Sequence, residues 1–368
     1  MSVELGLPRA RAARGAGARD AATPGGRPDT SGLVDRFGRV AQDLRVSLTD
    51  RCNLRCEYCM PAEGFDWLPS REVLSDDEVI HLIRVAVERL GVREVRFTGG
   101  EPLLRKGLER IVAATTALRT ADGAVPETSL TTNGLGLDRR AAGLAAAGLA
   151  RVNVSLDSLD RQAYATLTRR DRLPDVLAGI DAAEAAGMTP VKINAVLMRG
   201  VNDTEAPELL AYALRRGFEL RFIEQMPLGP PERWVRGEMI TAAQILAALA
   251  ERFELTPTDA AERGAAPAER FHVAPSGDLP GGSVGIIASV TQPFCGACDR
   301  TRLTADGQVR TCLFSRTETD LRGLVRGGAD DEQIAAAWRT AMWGKLAGHG
   351  IDDPGFLQPQ RPMSAIGG

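Results

Sequence analysis

The sequence predicts an α/β protein, a parallel sheet wrapped by helices with a smaller mixed unit behind it. Three observations carry this. Strand-like and helix-like segments alternate roughly six times between residues 44 and 224. The alternation stops at a cluster of breakers, Pro227, Gly229, Pro230 and Pro231. The composition, 44% hydrophobic and 25% charged over 368 residues, is that of a packed globular chain and excludes a wholly disordered one. The charges nearly cancel, 45 Lys+Arg against 48 Asp+Glu, so there is no summed basic field and no nucleic-acid partner is expected. No apolar run reaches the ~18–20 residues that span a bilayer, so no membrane association is expected. No secretory leader is legible, which points to the cytoplasm, where paired thiols are rare.

Residues 1–38 are rich in Arg, Ala, Gly and Pro without helical periodicity; they read as a disordered extension, with a transit peptide as the alternative. Leu44–Leu48 then reads as a strand. Ser75 is a good N-cap, Glu78 completes a capping box, and Val79, Ile80, Ile83, Val87 and Leu90 form an apolar stripe, which together predict a helix from Ser75 to Leu90. A strand at Val92–Phe97 ends in Thr98-Gly99-Gly100-Glu101-Pro102. Further strands are expected at Ser129–Thr131, Arg151–Leu156, Val191–Leu197 and Leu220–Glu224, and helices at Leu104–Leu118, Asp138–Ala147, Leu173–Ala186 and Thr204–Arg216. Residues 39–230 make this layer and 231–346 the smaller unit, within which Ala260–Glu269 reads as a surface loop; 347–368 is a tail ending in Gly367-Gly368. In such a sheet function lies at the carboxyl ends of the strands. The unusual residues fall there: a cysteine-rich loop, the Gly-Gly-Glu-Pro turn, Thr131-Thr132-Asn133-Gly134, Asn153-Val154-Ser155, Lys192 and Met226.

The six cysteines form two groups of three, Cys52-x3-Cys56-x2-Cys59 and Cys295-x2-Cys298 followed by Cys312. Three thiolates in one short loop suit a metal centre better than disulfides. Neither group has an obvious fourth ligand, because His81, His272 and His349 all lie away from ligand spacing. Soft sulfur ligands favour an iron–sulfur cluster or zinc. Three sulfurs on a four-iron cluster leave one iron open to a small molecule, whereas a zinc knuckle would need a distant carboxylate. Arg45 and Arg96 sit on strands that should be half-buried, where an unpaired guanidinium is costly and a buried anion would relieve the cost. Lys192 is one of three lysines, with Lys106 and Lys345, in a chain whose other basic residues are all arginine.

The run Cys52-x3-Cys56-x2-Cys59, with Tyr58 before the last cysteine and Gly99-Gly100-Glu101-Pro102 about forty residues on, resembles the radical S-adenosylmethionine (SAM) superfamily. The second group, followed by Arg300-Thr301-Arg302-Leu303-Thr304-Ala305-Asp306-Gly307 and Cys312-Leu313-Phe314, is similar to the GTP 3′,8-cyclase family of molybdenum-cofactor biosynthesis; the terminal Gly367-Gly368 matches too. The likeness runs from about Asp43 to the end. It departs at the N-terminal extension, at Ala365, where a bulkier residue is the norm, and at Asp299, an acid beside an anion site.

The resemblance implies a partial (βα)6 TIM-like barrel of the radical SAM type with a smaller C-terminal cluster-binding domain. It implies two [4Fe–4S] clusters, one on Cys52, Cys56 and Cys59 and one on Cys295, Cys298 and Cys312. SAM contacts would be Tyr58, Gly99, Gly100, Glu101, Asn153, Ser155 and Met226, the glycines letting the backbone approach the methionine part of SAM. GTP would meet Arg45, Arg96, Thr131, Lys192, Arg300, Thr301 and Arg302, with its guanine at the second cluster. Arg300, Arg302, Gly367 and Gly368 would serve catalysis. The implied reaction takes hydrogen from ribose C3′ of GTP with a 5′-deoxyadenosyl radical and closes C3′ onto C8. The implied partners are a flavodoxin- or ferredoxin-like electron donor and cyclic pyranopterin monophosphate synthase as the next enzyme, with the homodimer left open. Two rivals stand beside this reading: a radical SAM peptide-modifying enzyme with an auxiliary cluster, and a non-catalytic zinc-binding scaffold.

Overall fold

A computed structural model describes residues 26–367; the expected disorder of residues 1–25 and the placement of Gly368 lie outside the described residues. Order begins before residue 38. Strands β1 (Leu33–Val34) and β2 (Val40–Ala41) pair as a small hairpin, whose turn is fixed by Asp35 accepting from the backbone N–H groups of Phe37 and Arg39 at 2.8 and 3.0 Å.

The six expected strands follow: β3 (Asp43–Ser47), β4 (Glu94–Thr98), β5 (Glu127–Thr132), β6 (Arg151–Ser155), β7 (Lys192–Val196) and β8 (Glu219–Ile223). They pair in parallel in chain order, each followed by helix. The helix Asp76–Leu90 carries the capping box of Ser75 and Glu78 and ends on Gly91 in the left-handed region. The helix expected from Leu104 starts late, at Leu108, because Pro102–Leu104 closes a separate single turn and Arg105 is extended, with ψ 117°. A short helix, Arg161–Thr168, was not foreseen; its eight residues show too brief a stripe for the periodicity to register, although Asp160 caps it by accepting from Ala163 N–H.

The alternation of side chains decides what each face does. Leu44, Val46, Val95, Phe97, Leu130, Val152, Val154, Ile193, Leu220 and Phe222 point out under the helices and are buried. The intervening residues point inward. They include Arg45, Arg96, Thr131, Asn153, Ser155, Lys192 and Arg221, so the concave face is polar and charged.

The residues after 231 do not build a sheet of their own. Strands β9 (Leu255–Pro257), β10 (Glu269–Val273), β11 (Gly282–Ile287), β12 (Arg300–Leu303), β13 (Gln308–Arg310) and β14 (Thr319–Asp320) extend the first one, in the order β14-β13-β12-β3-β4-β5-β6-β7-β8-β11-β10-β9. Strand β12 pairs in parallel with β3, and β11 with β8, so the later third of the chain lengthens both edges of the six-stranded core. The sheet curls as a partial barrel and does not close. The expected surface loop at Ala260–Glu269 instead begins as a short helix, Ala260–Arg263, ends in β10, and lays 265–268 over the concave face. No helix among the described residues is long and apolar enough to cross a membrane.

Candidate active site

The loop leaving β3 carries Cys52, Cys56 and Cys59 to one cavity at the carboxyl ends of β4, β5 and β6, shared with Tyr58, Gly99, Gly100, Ser155 and Asp157. Backbone bonds from Cys59 and Met60 to Cys56 O coil the loop. Asn133 Nδ2 points at Cys52 Sγ from 3.8 Å, and the backbone N–H of Ser364 bonds Cys59. Burial pushes the Cys52 thiol up to about 11, Cys59 to about 12, and Cys56 upward as well, so these thiols need a bound cation to give up their protons. Tyr58 lines the cavity but commits its hydroxyl to Asp157 Oδ2 at 2.7 Å. Asp157, its carboxyl pushed up to about 6 by burial, takes the Val196 N–H on its other oxygen and so ties the loop to β6 and β7. Asp157 is not among the residues the sequence singles out, although it continues the every-other-residue polar positions Asn153 and Ser155.

Two expectations for the glycine turn change. Gly99 and Gly100 line the cavity, yet a Cβ on them would strike Thr49 O at 2.4 Å and Arg51 O at 2.3 Å. Glycine is required there because two backbones cross. Glu101 is fully buried and its carboxylate turns away from the cavity. It accepts from Leu103 N–H at 2.9 Å, Thr132 Oγ1 at 2.7 Å and Asn133 N–H at 2.8 Å. It staples the turn to the end of β5, where Asn133 faces Cys52.

The second trio opens on the concave face. Cys295, Cys298 and Cys312 line a cavity with five arginines, Arg45, Arg96, Arg221, Arg300 and Arg302, and no carboxylate. Arg302, Arg45 and Arg96 stand side by side in register on β12, β3 and β4. Like charges so placed repel. Burial and the neighbouring guanidiniums pull Arg45 down to about 9; burial first also lowers Arg302 and Arg221, each to about 10. Asp43 answers them from beneath, 3.2 Å from Arg45, 3.5 Å from Arg300 and 4.0 Å from Arg96, and Glu94 pairs with Arg96 at 2.6 Å. Against the upward push of burial, the three arginines hold Asp43 down at about 2. The Nε atoms of Arg45, Arg96, Arg221 and Arg300 are buried without a hydrogen-bond partner. The opposite wall is apolar, with Met226, Ile287, Phe294, Leu313 and Phe314. Thr131 lines both this cavity and the first, which makes the two sites neighbours.

The remaining candidates divide. Met226 faces the second cavity, not the first. Asn153 and Lys192 lie deeper, toward the amino ends of the strands, in a third cavity that shares Arg96, Arg221 and Arg300 with the second. There Lys192 pairs with Glu219 at 2.6 Å, and Asn153 Oδ1 accepts from Arg221 at 2.7 Å. Thr301 faces away from all three: the alternation that turns Arg300 and Arg302 inward turns Thr301 out, where Trp338 Nε1 donates to its hydroxyl at 2.9 Å. Arg221 was missed in the sequence, although it occupies the inward position of a strand whose alternation was legible.

The tail enters the same space. Met363 and Ser364 line the first cavity, and Gly367 O accepts from Arg302 at the second. Gly367 has φ 83°, and a Cβ there would meet Ser47 Oγ at 2.3 Å.

A parallel βα sheet with a three-cysteine loop at the carboxyl end of its first strand defines a radical SAM enzyme. Residues 46–213 match the profile of the Radical SAM superfamily and residues 218–351 that of Molybdenum Cofactor Synthesis C. A GTP 3′,8-cyclase of Corynebacterium glutamicum is 63% identical over 338 residues, 91% of this chain and 89% of that one. Those of Mycolicibacterium smegmatis and Streptomyces coelicolor are 60% identical (99% of each chain) and 62% identical (91% of this chain, 96% of that one). The chain belongs to the GTP 3′,8-cyclase family. Among solved structures, Streptococcus suis SuiB superposes with a TM-score of 0.54 at 14% identity, covering 83% of this chain and 67% of that one. SuiB bound to S-adenosylmethionine gives 0.51 at 14% identity, over 80% and 67%. Both show likeness of fold. Superfamily membership brings a [4Fe–4S] cluster and SAM as cofactors, and a cavity lined by three cysteines suits such a cluster.

Proposed function

We propose that this enzyme converts GTP to 3′,8-cyclo-7,8-dihydro-GTP, the radical step of molybdenum-cofactor biosynthesis that its relatives are named for. The observation that carries the reading is the second cavity: five guanidiniums without a carboxylate, an apolar wall, and one residue, Thr131, in common with the first cysteine cavity. Polyphosphate is the anion that such a crowd of forks suits. Arg45, Arg96, Arg221, Arg300 and Arg302 bind it, and the shared Arg96, Arg221 and Arg300 lead its far end toward Lys192. The apolar wall beside Cys295, Cys298 and Cys312 receives the purine.

Cys52, Cys56 and Cys59 hold the first [4Fe–4S] cluster and Cys295, Cys298 and Cys312 a second. When bound, the first cluster with SAM supplies the 5′-deoxyadenosyl radical. The protein's part is position. Ser155, Tyr58 and the Gly99-Gly100 turn shape the SAM side, and Thr131 sits where ribose must face the adenosyl group. Arg302 holds Gly367, so the tail shields the space between the two cavities from water. Residues 39–230 carry the first cluster and 231–346 the second, and both lend arginines to the substrate cavity. A flavodoxin- or ferredoxin-like protein supplies electrons, cyclic pyranopterin monophosphate synthase takes the product, and the setting is the cytoplasm.

The test is anaerobic incubation of reconstituted, reduced protein with SAM and GTP. We expect 5′-deoxyadenosine to form in step with GTP loss; deoxyadenosine formed without GTP consumption, or none at all, overturns the assignment.

A further inference from the structure

Lys345 is 4% exposed and carries its ammonium into the back of the second cysteine loop. Nζ donates to Cys298 O at 3.1 Å and to Arg300 O at 2.9 Å, and its third neighbour is Cys298 Sγ at 3.4 Å. Among the described residues it makes no ion pair with an aspartate or glutamate. A buried ammonium needs an anion. The two carbonyls offer dipoles without charge, which leaves the sulfur as the group its charge faces.

We propose that Lys345 is a positioning and charge-compensating residue for the second cluster. Two of its N–H bonds fix the turn from Cys298 to Arg300, and the third lies on a ligand sulfur, where it stabilises the reduced, more negative cluster and raises its reduction potential. This rests on the reading of Cys295, Cys298 and Cys312 as cluster ligands. The lysine is held on both flanks. Helix Asp331–Trp343 ends just before it, and Arg39, paired with Asp35, binds Leu346 O at 2.6 Å, Ala347 O at 2.8 Å and Cys295 O at 2.7 Å just after it. Three diverging acceptors suit a compact ammonium.

The experiment compares full-length protein with Lys345→Gln, which keeps donors for the carbonyls and removes the charge, Lys345→Met, which removes both, and Lys345→Arg, which keeps the charge. Each is reconstituted anaerobically, its iron counted, and its reduced clusters titrated by electron paramagnetic resonance with and without SAM. We expect about eight irons in the parent. In the Gln variant the SAM-responsive signal stays unchanged while the other moves to lower potential; in the Met variant that second signal is lost; the Arg variant recovers the parent potential. A Gln variant with both clusters at parent potentials overturns the role of Lys345, as does loss of both signals together in the Gln and Met variants. A parent that binds only one cluster's iron overturns the underlying reading instead.

Discussion

The guanidinium of Arg302 donates to the carbonyl oxygen of Gly367. The last described residue of the chain is thereby tied to the strand that leaves the second cysteine loop, while Ser364, three residues earlier, bonds Cys59 of the first. One short tail segment touches both cysteine sites.

Gly367→Ala tests whether that seat matters. A methyl group would lie 2.3 Å from Ser47 Oγ and 2.7 Å from Thr98 Cγ2, at a φ that side chains avoid. The tail is expected to leave its seat, and GTP turnover to fall by about 100-fold, the scale of a displaced reacting centre. Iron content should stay at the parent level. Parent turnover in this variant would show that the seat is incidental.

Arg221 faces two cavities and bonds only Asn153 Oδ1 among the described residues. Arg221→Ala should weaken GTP binding by about 10- to 100-fold, the worth of one charged hydrogen bond, with SAM binding unaffected. Equilibrium titration of each ligand separates the two; equal affinities for GTP would remove Arg221 from the clamp.

Thr301 gives the opposite expectation. Its hydroxyl serves Trp338 on the outer side of the sheet. Thr301→Val should cost about 1 kcal/mol of stability, measured by urea unfolding, and leave the GTP affinity at the parent value. A selective loss of GTP affinity would return Thr301 to the substrate site.

Glu101 carries a pH signature. Burial raises its carboxyl to about 7, above the ordinary 4.5, so the folded protein holds that proton more tightly than the unfolded chain. Its contribution is therefore full below about pH 4.5 and fades as pH rises toward 7. The stability of the parent relative to Glu101→Gln should fall across that window, in urea unfolding of metal-free protein. A flat difference would mean the carboxylate is better solvated than its burial indicates.

Much of this was legible in the sequence because period and capping are local. The helix over Asp76–Leu90 follows from Ser75, Glu78 and an apolar stripe, and the inward arginines follow from strand alternation. Both cysteine trios were readable from spacing alone. Register was not readable: that Arg302, Arg45 and Arg96 share one row depends on β12 pairing with β3 across more than 250 residues of chain. The same gap hid Asp43, whose task is visible only once three guanidiniums surround it. Glu101 misled because a carboxylate at a strand end reads as ligand-facing, and only its three internal donors reveal otherwise. Thr301 misled because a run of consecutive residues was taken as one surface, although neighbours on a strand face opposite ways.

The edge pairing of β12 on β3 and of β11 on β8 bears on how the molecule is made. As the polypeptide emerges, β3 stands ready long before its outer partner has been synthesised, and its unsatisfied N–H and C=O groups must wait, as must those of β8 at the opposite edge. The last third of the translation product seals both rims at once. A ribosome that stalls after residue 230 would release a nascent chain with two adhesive borders, a substrate for chaperones and for self-association.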